Sequence, residues 1–267
     1  MSVVEIDDPD DPRIAAFRQV RDRDVRRRCG GFIAEGEVVL RVLARSRLCR
    51  TRSVLIAAKR VERMTPLLDA FGEDVAIYTA AQGVMDAVVG FPIHRGLLAF
   101  GERAQAPSAD VLLGALAGPA TIACLFGVSN HDNVGGVFRN AAALGARAIL
   151  LDGACCDPLY RKAIRVSVGA TLTVPFARIG DHEDVPALLA RHGFSSLALT
   201  PAGTTPLSQV QATSRTAILL GAEGHGLPEA LLAGGMSVVI PMADGFDSLN
   251  VATTSGIVLH HLAQVHP

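Results

Sequence analysis

The sequence contains no tryptophan and two tyrosines, and aromatic residues make up only 4% of it. Apolar runs as long as the roughly 20 residues that a membrane-spanning helix needs are also missing. Hydrophobic residues nevertheless account for 49% of the chain, and glycine occurs 26 times. This composition is typical of a globule packed from Ala, Val and Leu in α/β layers, and it argues against a disordered or disulfide-built chain.

Paired cysteine motifs are a second absence. The chain has five cysteines with no C-x-x-C pair among them: Cys29, Cys49, Cys124, Cys155 and Cys156. Adjacent cysteines such as the last two cannot easily form an ordinary disulfide or a zinc site. We therefore expect reduced, structural thiols and no metal. The acidic stretch Glu5 to Asp11 is unlike the basic start of a signal peptide, so we expect a cytoplasmic protein without membrane association.

The chain has no large excess of one charge, since its formal net charge is −1, but its cations are unevenly distributed. Residues 13–63 hold fifteen Arg or Lys against five acids, which is a net charge of +10. The acids of this stretch are outnumbered, and three arginines run together at Arg26-Arg27-Arg28. Such a patch attracts nucleic-acid phosphates through counterion release, and the alternative is a solvated helix with salt bridges.

The 267 residues are enough for one or two domains. The polar, proline-containing stretch 102–110 is typical of a linker, so we predict domains at 1–105 and 106–267. In the second domain, helical patterns alternate with apolar runs near 120–127, 147–151, 172–178, 195–199, 216–221 and 237–242. That alternation predicts an α/β fold with a mostly parallel sheet covered on both faces. Shorter alternating stretches predict a small α/β domain before residue 105.

Three of these apolar runs end in polar loops that could hold a ligand. The first is followed by Asn133, two glycines and Arg139. Asn133 can cap a helix or contact a ligand, whereas the alternative for Arg139 is a solvated side chain on a surface helix. The run at 216–221 ends in a Gly-rich loop with Glu223, which suits a nucleotide-like ligand. Its glycine order, G-x-x-G-x-G, disfavours a dinucleotide oxidoreductase.

The third loop follows Ile240-Pro-Met242 and contains the turn dipeptide Asp244-Gly245. Ser248 and Asn250 stand just before a segment rich in small residues, where both also favour the helix-cap position. The sequence therefore predicts three loops that each leave a strand and enter a helix, and these are the places where an open α/β sheet binds its ligands.

In order and spacing, the three motifs resemble the SpoU/TrmH branch of the SPOUT methyltransferases, which are RNA ribose methylases. Residues 133–139 look like that family's Asn-Val-Gly-x-x-x-Arg signature, and residues 221–227 like its Gly-x-Glu-Gly-x-Gly-Leu loop. The run 240–251 is similar to its third motif, and Arg165-Val-Ser-Val-Gly-Ala to a segment between the first two. One departure is Asn140, where many relatives carry Thr.

The resemblance covers residues 120–264 strongly and the N-terminal third weakly, at Glu35-Gly36 and around His94. It implies a C-terminal domain with a trefoil knot, preceded by a small ribosomal-protein-like domain that captures RNA. It also implies a homodimer formed through the C-terminal domain. Topology rules alone would predict an unknotted sheet, so the knot rests on the resemblance.

The implied reaction is methyl transfer from S-adenosyl-L-methionine to a ribose 2′-hydroxyl of rRNA or tRNA. The implied catalytic residues are Asn133, Arg139, Ser248 and Asn250. The implied cofactor site comprises Leu220, Gly221, Glu223, Gly224, Gly226, Ile240, Met242, Ser248, Leu249 and Asn250. Candidate RNA-binding residues are Arg26, Arg27, Arg28, Arg139 and Arg165.

An arginine normally stays protonated and is a poor general base, so we assign Arg139 a positioning role. For Glu223 we expect support of loop or dimer geometry. Two alternatives share the same motifs: a methylase acting on a base nitrogen, and a non-catalytic RNA-binding module such as a ribosome-assembly factor. The pairing of Asn133 and Arg139 with Ser248 and Asn250 favours the ribose methylase.

Overall fold

A computed structural model describes residues 3–18, 30–93, 95–211, 213–244 and 246–265. The predicted RNA contacts at Arg26, Arg27 and Arg28 lie outside these residues. By its contacts the chain divides into two compact units, Met1–Gln105 with Leu159–Thr173, and Ala106–Pro158 with Val174–Pro267. The sequence prediction placed Leu159–Thr173 in the second domain, since these residues follow the linker at 102–110. A linker marks where the chain first leaves one unit, but it gives no sign that a later segment returns to it.

The strands, in chain order, are β1 (Val3–Ile6), β2 (Phe32–Glu35), β3 (Cys49–Ala57), β4 (Ala76–Ala80), β5 (Leu97–Arg103), β6 (Ala120–Phe126), β7 (Ala148–Leu151), β8 (Phe176–Arg178), β9 (Ser195–Leu199), β10 (Thr205–Pro206), β11 (Arg215–Gly221) and β12 (Met236–Val239). The α-helices are α1 (Glu37–Ala44), α2 (Val61–Leu68), α3 (Gln82–Val89), α4 (Ala109–Gly114), α5 (His131–Ala143), α6 (Arg161–Val166), α7 (Val185–Arg191), α8 (Glu229–Ala233) and α9 (Val251–Val265).

The first unit is built on a five-stranded sheet in the order β1-β4-β3-β5-β2. Strands β1, β3 and β4 run parallel, and β5 runs antiparallel to both β3 and β2. Helix α1 buries Val39, Leu40 and Leu43, whose spacing places them on one helical face. Strands β1 to β4 therefore all end at the edge of the sheet where β5 begins.

The second unit contains a seven-stranded sheet in the order β10-β12-β9-β11-β6-β7-β8, in which each adjacent pair is parallel. Helices α4 and α7 cover one face through a core that includes Leu113, Leu150, Leu189 and Leu219. The predicted α/β fold with a mostly parallel sheet is confirmed. The predicted strand at 172–178 is shorter, because Ala170–Leu172 forms a 3-10 helix and Pro175 has no backbone N–H to donate.

Parallel pairing determines where the motif loops lie. Since β6, β9, β11 and β12 are neighbours and run in the same direction, their carboxyl ends meet at one edge of the sheet. The three motif loops leave β6, β11 and β12, so the fold brings them together. None of the helices in the described ranges is long and apolar enough to cross a bilayer.

Candidate functional site

A cavity of about 320 Å³ lies at the carboxyl edge of the seven-stranded sheet, among the loops that follow β9, β11 and β12. Nine of the ten residues predicted for the cofactor site line it: Leu220, Gly221, Glu223, Gly224, Gly226, Ile240, Met242, Ser248 and Leu249. The tenth, Asn250, contacts Glu223 at the rim. This size and this mixture of aliphatic walls with a few polar groups are typical of small-molecule sites.

The Gly-rich loop after β11 is closed tightly on itself. The N–H of Gly226 donates to the carbonyl of Ala222 over 3.0 Å, and the two residues form an isolated β-bridge. A Cβ at Gly221 would collide with the carbonyl carbon and oxygen of Gly226. Gly221 therefore has no room for a side chain, and at this position the loop presents only backbone to the cavity.

The three motif loops meet in a hydrogen-bonded cluster of Asn133, Glu223 and Asn250, which we call the amide–acid cluster. Oε1 of Glu223 accepts from Nδ2 of Asn133 and from Nδ2 of Asn250, each over 2.9 Å. Nδ2 of Asn250 also donates to Oδ1 of Asn133 over 2.7 Å. Asn133 is buried, at 6% exposure, so its amide depends on these partners.

The asparagines of the first and third motifs differ in their capping roles. Oδ1 of Asn250 accepts from the N–H groups of Ala252 and Thr253, so Asn250 caps α9 as well as joining the cluster. Asn133 is not a cap, because the N-cap of α5 is Asn130, which accepts from the N–H of Asp132. Its side chain is consequently free to reach Glu223.

A second contact fixes the helices that carry the two asparagines. Nδ2 of Asn140 donates to the carbonyl of Ala252 over 2.7 Å and to Oγ of Ser255 over 2.9 Å. A Cβ at Gly136 would come within 2.6 Å of the Ala252 side chain, so α5 and α9 pack closely. Asn140 therefore joins the first motif helix to the third, a role that its position in the sequence did not reveal.

Ser248 and Arg139 lie outside the amide–acid cluster. Ser248 is exposed at the wall of the cavity, where its hydroxyl donates to Asp247 over 3.4 Å. Arg139 is exposed on α5 and does not line the cavity. Within the described ranges no hydrogen bond or ion pair involves its guanidinium. The structure thus brings together Asn133, Glu223 and Asn250 but leaves Arg139 free to meet another molecule.

Part of the cavity wall was missed by sequence reasoning. Strand β9 ends at Leu199, which lines the cavity together with the following Thr200 and Pro201 and with Val238 and Thr254. The N–H of Thr200 donates to the carbonyl of Val238, which fixes this wall beside β12. No glycine motif marks this wall in the sequence. Strand order could have revealed it, because β9 is a parallel neighbour of β11 and the loops after both strands must lie at the same edge of the sheet.

Four of the five cysteines lie in the described ranges, and Cys29 lies outside them. Burial raises the pKa of the Cys124 thiol and of the Cys155 thiol to about 12, and that of Cys156 to about 11. Cys49 and these three are free thiols. In the part of the chain that the structure describes, no group of three or more His, Cys, Asp or Glu side chains could hold a metal ion.

Comparison with known proteins gives matches along the whole chain. The model of the SpoU rRNA Methylase family matches residues 120–260. A protein of Mycobacterium bovis named as an uncharacterized tRNA/rRNA methyltransferase is 39% identical over 270 residues, which is 97% of this chain and 91% of that protein. A protein of Mycobacterium tuberculosis strain H37Rv with the same description matches to the same extent.

Solved structures share the fold. The AdoMet-bound rRNA methyltransferase from Sinorhizobium meliloti superposes with a TM-score of 0.81 at 24% identity, over 99% of this chain and 98% of that one. The SpoU methyltransferase AviRb from Streptomyces viridochromogenes gives a TM-score of 0.79 at 21% identity, over 94% of this chain and 96% of that one. At these identities the likeness shows a common architecture.

Proposed function

The chain belongs to the SpoU rRNA methylase family, and from this premise we propose that it transfers a methyl group from S-adenosyl-L-methionine to a ribose 2′-hydroxyl of rRNA or tRNA. The observation that carries the proposal is the amide–acid cluster at the rim of the cavity. It joins the three motif loops into one site, in which a ligand pocket lies beside the amides of Asn133 and Asn250.

The cavity fits the cofactor. Leu220, Ile240, Met242 and Leu249 give it aliphatic walls, and the closed loop from Gly221 to Gly226 offers backbone groups where a side chain would fill the space. Glu223 and Asp247 line the same cavity and suit a cationic ligand. The cofactor, when bound, supplies a methyl group that its sulfonium has already activated.

The remaining task for the protein is to position the acceptor hydroxyl and assist loss of its proton. Asn133, Ser248 and Asn250 provide neutral donors and acceptors that orient ribose or cofactor groups without adding charge. Glu223 holds two of these amides through a single oxygen, so we assign it the role of a positioning residue as well as a wall of the cofactor site.

We assign Arg139 to the RNA. A guanidinium stays protonated and can grip a phosphate through two parallel N–H donors while stabilising negative charge that develops on the attacking oxygen. Its exposure on α5, away from the cavity of its own chain, fits a homodimer formed through the C-terminal domain in which Arg139 reaches the partner's site. Water or a nearby phosphate would then accept the proton.

The first unit is proposed as the RNA-capture domain. Where β3 begins, Arg50 and Arg52 pair with Asp74 and Glu102. The opposite edge of the sheet carries Lys59, Arg60 and Arg95, which have no ion-pair partner in the described ranges and form what we call the free-cation edge. This edge and the exposed Arg165 are available to phosphates. We propose that Arg26, Arg27 and Arg28, which lie outside the described residues, also bind RNA.

Family membership supports two further proposals about the whole molecule. We expect the C-terminal part of the second unit to carry the trefoil knot of SPOUT methyltransferases. We also expect the protein to act in the cytoplasm, where its free thiols and an RNA substrate are compatible with a reducing environment.

The test combines a binding and a transfer measurement on one sample. Calorimetric titration with S-adenosylhomocysteine is expected to show one site per chain, and tritium from labelled cofactor is expected in 2′-O-methylnucleosides after digestion of total RNA. The variant Arg139→Lys should lower transfer strongly because it loses the planar fork. Arg191→Lys, a change at an exposed residue of α7, is the matched control.

Each other result replaces the proposal with a named alternative. Label recovered on a base would indicate a base-nitrogen methylase with the same cofactor pocket. Absence of S-adenosylhomocysteine binding, with RNA binding retained, would indicate a non-catalytic RNA-binding module. Near-normal turnover of Arg139→Lys would refute bidentate contact by Arg139 while leaving the reaction class intact.

A further inference from the structure

The segment Leu159–Thr173 joins β7 to β8 of the second unit, yet its contacts place it in the first. Its helix α6 carries Arg165, which is exposed and has no hydrogen-bond or ion-pair partner among the described residues. We propose that Glu35 and Arg161 form a largely buried ion pair, the latch, that holds this segment and so positions Arg165 for an RNA phosphate. This inference rests on the proposed function, because only that proposal makes RNA the substrate.

The latch is an ion pair largely shielded from water. Nη1 of Arg161 donates to Oε2 of Glu35 over 2.6 Å, with the side chains 20% and 8% exposed. The guanidinium of Arg161 also lies over the ring of Phe91, with 5.3 Å from its central carbon to the ring centre. A buried pair of this kind is costly to break, because either charge alone would be left without a partner.

A second anchor fixes the far end of the segment. Oγ of Ser46 donates to the carbonyl of Leu172 over 2.5 Å. Gly169 lies against Val42 of α1, where a Cβ would come within 3.0 Å of the valine Cβ. The segment is therefore held on β2 through Glu35 and on the end of α1 through Ser46, and Arg165 lies between these anchors.

The backbone between the anchors is strained. Val168 has a φ of 55°, and it is the one residue other than glycine with positive φ among those the structure describes. A β-branched side chain disfavours this conformation, so surrounding contacts must hold it in place. This strained turn lies three residues after the exposed Arg165. The segment is therefore kept in one conformation at a cost in conformational energy, and a fixed segment can hold the Arg165 side chain in one position.

Fixing the segment lowers the entropy that Arg165 would lose when it grips a phosphate. Loosening the latch should therefore weaken RNA binding without affecting the cofactor cavity, in which none of these residues takes part. Glu35 and Arg161 act through Arg165 and are positioning residues in this proposal.

The test uses full-length protein and total RNA from cells that lack it, so that target sites are unmodified. For Glu35→Gln we expect the KM for RNA to rise about tenfold, the range for one charge-assisted hydrogen bond. The slope of log affinity against log salt should fall by about one, as on loss of one phosphate contact. The kcat and the affinity for S-adenosylhomocysteine should stay unchanged.

A double-mutant cycle separates positioning from general destabilisation. Arg165→Ala should raise the KM in the natural protein but have little further effect in the Glu35→Gln background, since the contact is already lost. Glu37→Gln is the matched control. Glu37 stands two residues after Glu35, but its ion pair with Arg41, over 2.8 Å, is exposed. If Glu35→Gln folds poorly, Glu35→Gln with Arg161→Met removes both charges and takes its place.

Amide hydrogen exchange without RNA provides a readout independent of activity. Glu35→Gln should accelerate exchange at residues 161–172, whereas Glu37→Gln should not. Unchanged exchange, or fully additive effects of Glu35→Gln and Arg165→Ala on the KM, would overturn the latch. Failure of the proposed function is distinguishable, since it would appear as absence of methyl transfer by the natural protein whatever the exchange data show.

Discussion

Asn250 donates a 2.7 Å hydrogen bond to Asn133, although 117 residues separate them in the chain. Both amides also donate to the same carboxylate oxygen of Glu223. One acid therefore joins the loops that follow β6, β11 and β12. The proposed cofactor cavity and the proposed acceptor site both adjoin this junction, so a change at Glu223 should affect both.

Replacing Glu223 with Ala should loosen all three loops. The buried amide of Asn133 would lose an acceptor, which we expect to lower the free energy of unfolding by about 1–3 kcal/mol. Affinity for S-adenosylhomocysteine should fall as well, because Glu223 lines the cavity. Urea unfolding and calorimetry measure the two effects. Glu223→Gln keeps an acceptor oxygen and should retain much more of both properties.

The matched control for Glu223→Ala is Glu229→Ala, a change at an exposed acid in the first turn of α8. We expect it to shift neither stability nor affinity appreciably, since exposed substitutions seldom exceed about 0.5 kcal/mol. Equal behaviour of the Glu223 and Glu229 variants in both assays would show that the amide–acid cluster does not organise the site.

Gly221→Ala should damage the proposed cofactor cavity directly. The added methyl would meet the carbonyl of Gly226, which belongs to backbone and cannot rotate aside. We expect at least a tenfold loss of S-adenosylhomocysteine affinity, equivalent to about 1.4 kcal/mol, and a lower Tm. Gly83→Ala is the control, because nothing lies within 4 Å of its Cβ and alanine favours the helix. Unimpaired binding by Gly221→Ala would indicate that the loop opens on ligand entry.

The free-cation edge predicts which end of the first unit meets RNA. Changing Lys59, Arg60 and Arg95 together to Ala should weaken RNA binding and reduce the salt slope by about two to three. The matched control is Arg50→Ala with Arg52→Ala, since both of these cations already pair with acids. Filter binding at several salt concentrations compares the two. A larger loss in the control would place RNA at the opposite edge.

The sequence predicted the parallel sheet and the three loops that leave strands and enter helices, because apolar runs followed by Gly or Asn loops mark the ends of strands. It could not predict the contact of Asn140 with Ser255, which spans 115 residues and has no periodic signal. Nor could it place Leu159–Thr173 in the first unit, since the buried pair of Arg161 with Glu35 joins residues 126 positions apart. Contacts at such separations depend on the assembled fold.

Arg139 shows a different limit of sequence reasoning. Its spacing from Asn133 is six residues, a rise of about 9 Å along an α-helix, which alone permits either a shared or a separate site. The structure buries Asn133 and exposes Arg139, because the two side chains leave α5 in different directions. Motif spacing identified both residues, but only the helix position showed that they do not meet within one chain.

Stability against acid should depend on Asp110 in α4. The hydrogen bond from His192 and the nearby Arg191 lower the pKa of this carboxyl below its ordinary value of 3.8. A folded-state pKa below the unfolded one means that the carboxylate stabilises the fold above pH 3.8 and that this contribution disappears as the pH falls through the folded value. Asp110→Asn should therefore lower the Tm near neutral pH, and the difference from the natural protein should shrink below pH 3.8.

Scanning calorimetry of the natural protein and the Asp110→Asn variant across that pH range measures this difference in Tm. His192→Gln added to Asp110→Asn should cause no further pH-dependent change. A Tm difference that persists unchanged at the lowest pH would show that Asp110 acts through packing of α4 against α7 and not through its charge.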